Sequence, residues 1–140
     1  EGITEVRAGT YVFYDLMQLG FGSCGPDDLA LSVLCTVVSD HGDRVTIDGG
    51  SKTFSSDAYW GPQPSYGHFV ESPGATFTKM NEEHGFVDIS KAGRKFGIGE
   101  RVRVVPNHIC PVVNLQDQVY GIRGNEVEVV WRVAARGKLQ

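Results

Sequence analysis

No stretch of this 140-residue chain is apolar for long enough to cross a membrane as a helix. The longest apolar run, Ala30 to Val38, is broken by Ser32 and Thr36, and it falls far short of the ~20 residues that a span requires. Charge of one sign is scarce as well. Thirteen basic and 17 acidic residues leave a formal charge of -4, spread from end to end, with no basic stripe to engage a phosphate backbone. Neither a membrane nor a nucleic acid is therefore an expected partner. Cysteine is limited to Cys24, Cys35 and Cys110, an odd number at irregular spacings, which argues against a disulfide framework and for a reducing, cytoplasmic setting. The opening EGITEVRAGT lacks the basic and apolar regions of a secretory signal. Internal repeats and low-complexity tracts are also absent.

What is present is glycine and β-branched patterning. The 18 glycines exceed the ordinary share and imply many turns, while 41% hydrophobic and 21% charged residues are usual for one folded domain spanning residues 1–140. Strands are expected at 9–16 (GTYVFYDL), 30–40, 43–50, 67–72, 83–90 and 100–110 (ERVRVVPNHIC), with two more across 118–137. The HGD at 41–43 joins two of them as a hairpin, and Gly124 and Asn125 form the tip of another. Residues 26–34 could begin a helix at Pro26. Strand is preferred after Leu29, because Val33, Val37 and Val38 are β-branched. Residues 55–68, rich in Gly, Pro, Ser and aromatics, read as a long loop whose aromatics suit a contact surface. Such a pattern predicts a mostly β fold, an antiparallel barrel or a sandwich.

Chemistry centres first on VVPNHICPVV, residues 104–113. On a strand, His108 and Cys110 would share a face and could both reach a metal ion at about 2.0–2.3 Å. Two ligands are too few for a closed structural zinc site, and no CxxC or HxxxH completes a set of four. Spacing alone favours a core cysteine, inert through a raised pKa, beside a histidine satisfied by a backbone carbonyl. DGGSK (48–52) hints at a phosphate cradle, but its spacing is wrong and no helix clearly follows, so a β-turn is the simpler reading. EEHG (82–85) could serve acid/base or ligand roles, or simply form an exposed turn. Tyr11 and Tyr14, three apart on a strand, would fall on opposite faces, one of them in the core.

Six ordered segments tie these pieces together: EVRAGTYVFYD (5–15), LALSVLCTVVS (29–39), IDGGSKTFSSD (47–57), EEHG (82–85), GERVRVVPNHICPVVNL (99–115) and VVWRVAARG (129–137). They resemble the C-terminal domain of the D-serine dehydratase and D-threonine aldolase family, alanine-racemase-like pyridoxal-phosphate enzymes of fold type III. The resemblance implies a C-terminal β-domain whose N-terminal (β/α)8 barrel, with the cofactor on a Schiff-base lysine, lies outside this chain. Lys52 is then not that lysine, and the isolated fragment would be inactive. The family's His-x-Cys metal ligands map onto His108 and Cys110, holding zinc or manganese with positions left open. That ion would polarise the β-hydroxyl of a D-3-hydroxy amino acid, for D-serine dehydration or D-threonine retro-aldol cleavage. The exact His-x-Cys pair leans towards dehydratase and zinc. Tyr11 would line the substrate side, with Asp48, Asp57 and His84 as possible supporting residues, and a homodimer would bring this domain to the partner's barrel mouth. The alternative is a non-catalytic oligomerisation, lid or binding module in which His108 and Cys110 are structural.

Overall fold

The computed structural model describes residues 2–59 and 64–138. Six strands, β1 (Val33–Asp40), β2 (Arg44–Ile47), β3 (Gly67–Phe69), β4 (Thr76–Met80), β5 (Gly85–Asp88) and β6 (Arg101–Pro106), close into a barrel in the order β1-β2-β5-β4-β3-β6. Every pairing is antiparallel. The fold is thus mostly β, and of the two architectures the sequence allows it is the barrel. Closure removes the sheet edges that an open sandwich would expose. Two further strands, β7 (Gln118–Arg123) and β8 (Glu126–Arg132), form a separate hairpin. Among the described residues no helix is long and apolar enough to cross a membrane.

Alternation explains the interior. Cys35 and Val37 on β1, Val45 and Ile47 on β2, Phe69 on β3, Phe77 on β4, Val87 on β5, and Val102 and Val104 on β6 are all buried. Each such Val, Ile or Phe contributes about 1.5–3 kcal/mol on leaving water. Phe54 meets Phe77 edge to face at 5.3 Å, and Phe69 meets Phe96 in the same manner at 6.3 Å, filling the barrel with aromatic contacts. Both expected hairpins form: His41 N–H donates to Arg44 O at 2.8 Å between β1 and β2, and Gly124 takes a φ of 60° between β7 and β8. After a 3-10 turn at Pro26–Asp28 the chain extends into β1, as the β-branched residues require.

Three readings need correction. Residues 9–16 are not a strand: a 3-10 turn covers Thr10–Val12, and α1 (Leu16–Gly20) follows, with Tyr14 between them at a φ of 52°. Tyr11 is 60% exposed and Tyr14 half-buried, so neither is a core residue and no strand separates their faces. The cause is Asp15, whose side chain accepts from Gln18 N–H and starts a helix that aromatic and β-branched content does not favour. Second, β6 stops at Pro106, and Ile109–Leu115 form α3 instead of continuing the strand. Pro111 falls in the first turn of α3, where its missing N–H has no intrahelical role. Third, β4 was not anticipated, because TFTKM sends only Phe77 fully inward and carries little apolar signal. Of the 55–68 loop, residues 60–63 lie outside the described residues.

DGGSK and EEHG turn out to hold each other. A one-turn helix, α2 (Ser51–Phe54), does follow the glycines, contrary to expectation. Its first N–H groups are not free for an anion: Ser51 donates to Asn81 O at 2.8 Å and Lys52 to Glu82 O at 3.1 Å. The Lys52 ammonium pairs with Glu83, and Asn81 Oδ1 accepts from the backbone of Glu83 and His84. EEHG is the exposed turn between β4 and β5, whereas DGGSK runs into a helix and is not the expected β-turn. A Cβ on Gly50 would lie 2.4 Å from Asn81 O and 2.6 Å from the Glu82 carbonyl carbon. Gly50→Ala is therefore expected to cost about 1–3 kcal/mol through forced backbone movement, read as a lower urea midpoint at unchanged m-value.

Candidate functional site

The first turn of α3 is built by a buried carboxylate from the other end of the chain. Asp15 is fully buried; one oxygen caps α1 through Gln18 N–H at 2.9 Å, and the other accepts from Ile109 N–H at 2.9 Å. A single side chain thus satisfies donors at the starts of two helices. Met17 N–H donates to Asn107 O at 3.1 Å and fastens the same two segments again. His108 is the N-cap of α3, in extended conformation and without a side-chain cap bond of its own. Its imidazole is free to turn elsewhere.

It turns to Asp57. His108 Nδ1 lies 2.7 Å from Asp57 Oδ2, and both side chains are half-buried. A carboxylate accepts and does not donate, so in a neutral imidazole this contact favours the tautomer with its proton on Nδ1 and its lone pair on Nε2. Asp57 is itself held, because Asn107 Nδ2 donates to its carbonyl at 2.8 Å and to Ser65 O at 2.6 Å. Asn107 is buried, and its Oδ1 has no partner among the described residues. Cys110, in the first turn of α3, is exposed, and its sulfur touches Thr10 Oγ1 at 3.5 Å. Tyr11, the next residue after Thr10, is exposed.

The expectation of a core cysteine beside a carbonyl-bonded histidine is therefore overturned. Cys110 is at the surface, and the partner of His108 is an acid. Nor do the two residues lie on a strand: His108 is the N-cap of α3 and Cys110 falls in its first turn. The thiol with the character expected of a core cysteine is Cys35, which burial, aided by the charge of Asp48, pushes up to about 12. A thiol so raised stays protonated and unreactive near neutral pH. Iodoacetamide applied to the native protein is expected to modify Cys110 and spare Cys35 until the fold is denatured; peptide mass mapping reads both sites.

The remaining sequence candidates stand apart. Asp48 Oδ1 accepts from Thr36 N–H at 2.7 Å and closes the β1–β2 end of the barrel, while His84 lies on the β4–β5 turn. The described contacts bring Asp57 to His108 and neither of these. Thr10, Asp15 and Asn107 escaped the sequence reading. Asp15 alone had a local signal, an acid directly before the helix-forming Leu-Met-Gln-Leu. A cavity of about 600 Å³ opens beside α1, walled by Leu16, Leu19, Tyr59 and His68 among others, with no carboxylate or thiol among the described lining residues.

Could these residues hold an ion? Imidazole nitrogen and thiolate sulfur suit zinc, and a ligating histidine whose other nitrogen is held by a carboxylate is the usual arrangement at such centres. Among the described residues no group of three or more His, Cys, Asp or Glu side chains is arranged to hold a metal. The donor set fits an open site taking two ligands from this chain.

Residues 30–122 match the family model described as "Putative serine dehydratase domain". D-threonine aldolase of Arthrobacter sp is 36% identical over 143 residues, which is 96% of this chain and 35% of the aldolase. An uncharacterised protein of Mycobacterium tuberculosis is 36% identical over 130 residues, covering 89% of this chain and 96% of that protein. Among solved structures, D-threo-3-hydroxyaspartate dehydratase from Delftia sp. HT23 aligns with a TM-score of 0.80 at 31% identity, over 94% of this chain and 39% of the dehydratase. The same enzyme is known as a histidine-to-alanine mutant and as a cysteine-to-alanine mutant in the metal-free form, the two positions lying two residues apart. The chain spans little more than a third of the aldolase and dehydratase it matches.

Proposed function

The chain belongs to the serine dehydratase domain family, and from that premise we propose that it is the metal-bearing C-terminal domain of a pyridoxal-phosphate-dependent lyase acting on D-3-hydroxy amino acids. The observation that carries this reading is at the start of α3: an imidazole whose Nδ1 is held by Asp57, two positions before an exposed thiol. The spacing of His108 and Cys110 equals that of the two residues altered in the Delftia dehydratase variants, one of which is metal-free. When bound, a zinc or manganese ion supplies Lewis-acid polarisation of the substrate β-hydroxyl, and pyridoxal phosphate, held outside this chain, supplies an electron sink.

The chain's own residues do the positioning. His108 and Cys110 are the ligands, and two protein ligands leave room for a substrate oxygen. Thr10 holds the Cys110 sulfur in place through its hydroxyl, and exposed Tyr11 borders the substrate. An N-terminal barrel as the neighbour of this domain, and a homodimer, fit the large exposed side chains Ile3, Val6, Tyr120 and Trp131. Three free cysteines fit a cytoplasmic setting.

The test is the full-length polypeptide. Metal analysis of the purified protein is expected to find zinc or manganese, and D-serine or D-threonine is expected to be turned over. Absence of both metals, with unchanged activity in His108→Ala, would overturn the reading in favour of the oligomerisation module. The largely exposed β7–β8 hairpin is the feature that favours that second reading.

A further inference from the structure

We infer that Asp57 is a positioning residue that fixes the tautomer and direction of His108 so that Nε2 is the ligating atom. The inference rests on the reading of His108 as a metal ligand, and it assigns to Asp57 a role that the ligand pair alone does not require. A free neutral imidazole exchanges its proton between two nitrogens, and only the unprotonated one can bind a metal. The 2.7 Å contact from Nδ1 to a carboxylate oxygen removes that choice. Three features make Asp57 fit to impose it.

Its carbonyl is gripped by Asn107 Nδ2, on the residue just before His108, so the carboxylate and the imidazole are fixed to one backbone segment. Its own N–H donates to Ser55 Oγ at 3.3 Å, and Ser55 sits at a φ of 62°, a conformation that a serine adopts only under constraint from its surroundings. Asn107 Nδ2 also donates to Ser65 O, which in turn accepts from Tyr59 N–H at 2.8 Å, so both flanks of the loop after Asp57 are tied to the same amide. The aspartate is held before any ligand arrives.

The experiment uses the full-length protein. Nitrogen-15 spectra of the metal-free form at pH 8.5, where imidazoles are ordinarily neutral, are expected to show His108 protonated on Nδ1. Asp57→Ala is expected to shift it towards the Nε2-protonated form and to weaken zinc binding 10–100-fold in competition with a chromophoric chelator. Asp57→Asn, which can still accept through its amide oxygen, should fall between. An unaltered circular dichroism spectrum separates these effects from misfolding. Unchanged tautomer and unchanged zinc affinity in Asp57→Ala would overturn the inference, as would an Nε2-protonated His108 in the parent protein. Failure of the underlying reading looks different: the parent protein itself would bind neither zinc nor manganese.

Discussion

His108→Ala in the full-length protein is expected to lower kcat/KM for D-3-hydroxy amino acids by about 10³-fold or more, with the metal content falling in step. The size follows from what is lost. Lewis-acid stabilisation of charge developing on a leaving or departing oxygen is worth several kcal/mol, and each 1.36 kcal/mol is a factor of ten in rate. Of the two proposed ligands, His108 is the one held by a carboxylate. Cys110→Ser should fall in the same direction, because a serine hydroxyl is a poorer zinc ligand than a thiolate. His41→Ala, on the β1–β2 turn where the ring contacts Ser39, serves as the control and should leave activity within about twofold. Steady-state kinetics with metal analysis on the same preparations decides the matter; parent-like kcat/KM in His108→Ala would sink the assignment.

Asp15→Ala carries the largest expected effect on stability, about 3 kcal/mol or more. Hydrogen bonds to a charged acceptor are worth about 1.5–3 kcal/mol each, and this buried carboxylate accepts two from backbone donors. Alanine would strand the Ile109 N–H in the interior and remove the cap of α1 together with the anchor of α3. Asp15→Asn tests the same point more finely. An asparagine has one acceptor oxygen, so it satisfies one of the two donors and turns its NH2 against the other. Urea unfolding should rank the aspartate above asparagine and asparagine above alanine. Equal midpoints for all three would show that the two bonds contribute nothing net.

The contrast between what could and could not be read from the sequence follows the range of the interactions involved. Strand content was legible because period-two alternation in β1, β2, β5 and β6 is a local property, and the glycine turns at 41–43 and 124–125 mark the hairpins. Barrel closure depends on β6 returning to both β1 and β3, which no local pattern records. His108 and Cys110 were found from their spacing, yet the strand argument that singled them out was incorrect. Pro111 and the distant Asp15 turn that segment into a helix start. Asp57 was visible only as an acid at the end of a glycine-rich segment, and its meaning required the fold. Thr10 and Asn107 have no chemistry of their own that spacing could reveal.

The groups around the first turn of α3 reach it across sequence separations of 51 residues for Asp57, 94 for Asp15 and 100 for Thr10. Contacts of such range incur the greatest loop-closure entropy, and they gain their reward only once the intervening strands have found their neighbours. The first turn of α3 is accordingly expected to be organised late in folding. Substitutions there should leave the rate of barrel formation nearly untouched and instead speed unfolding. The ability to bind a metal would then report completed folding more strictly than β-sheet content does.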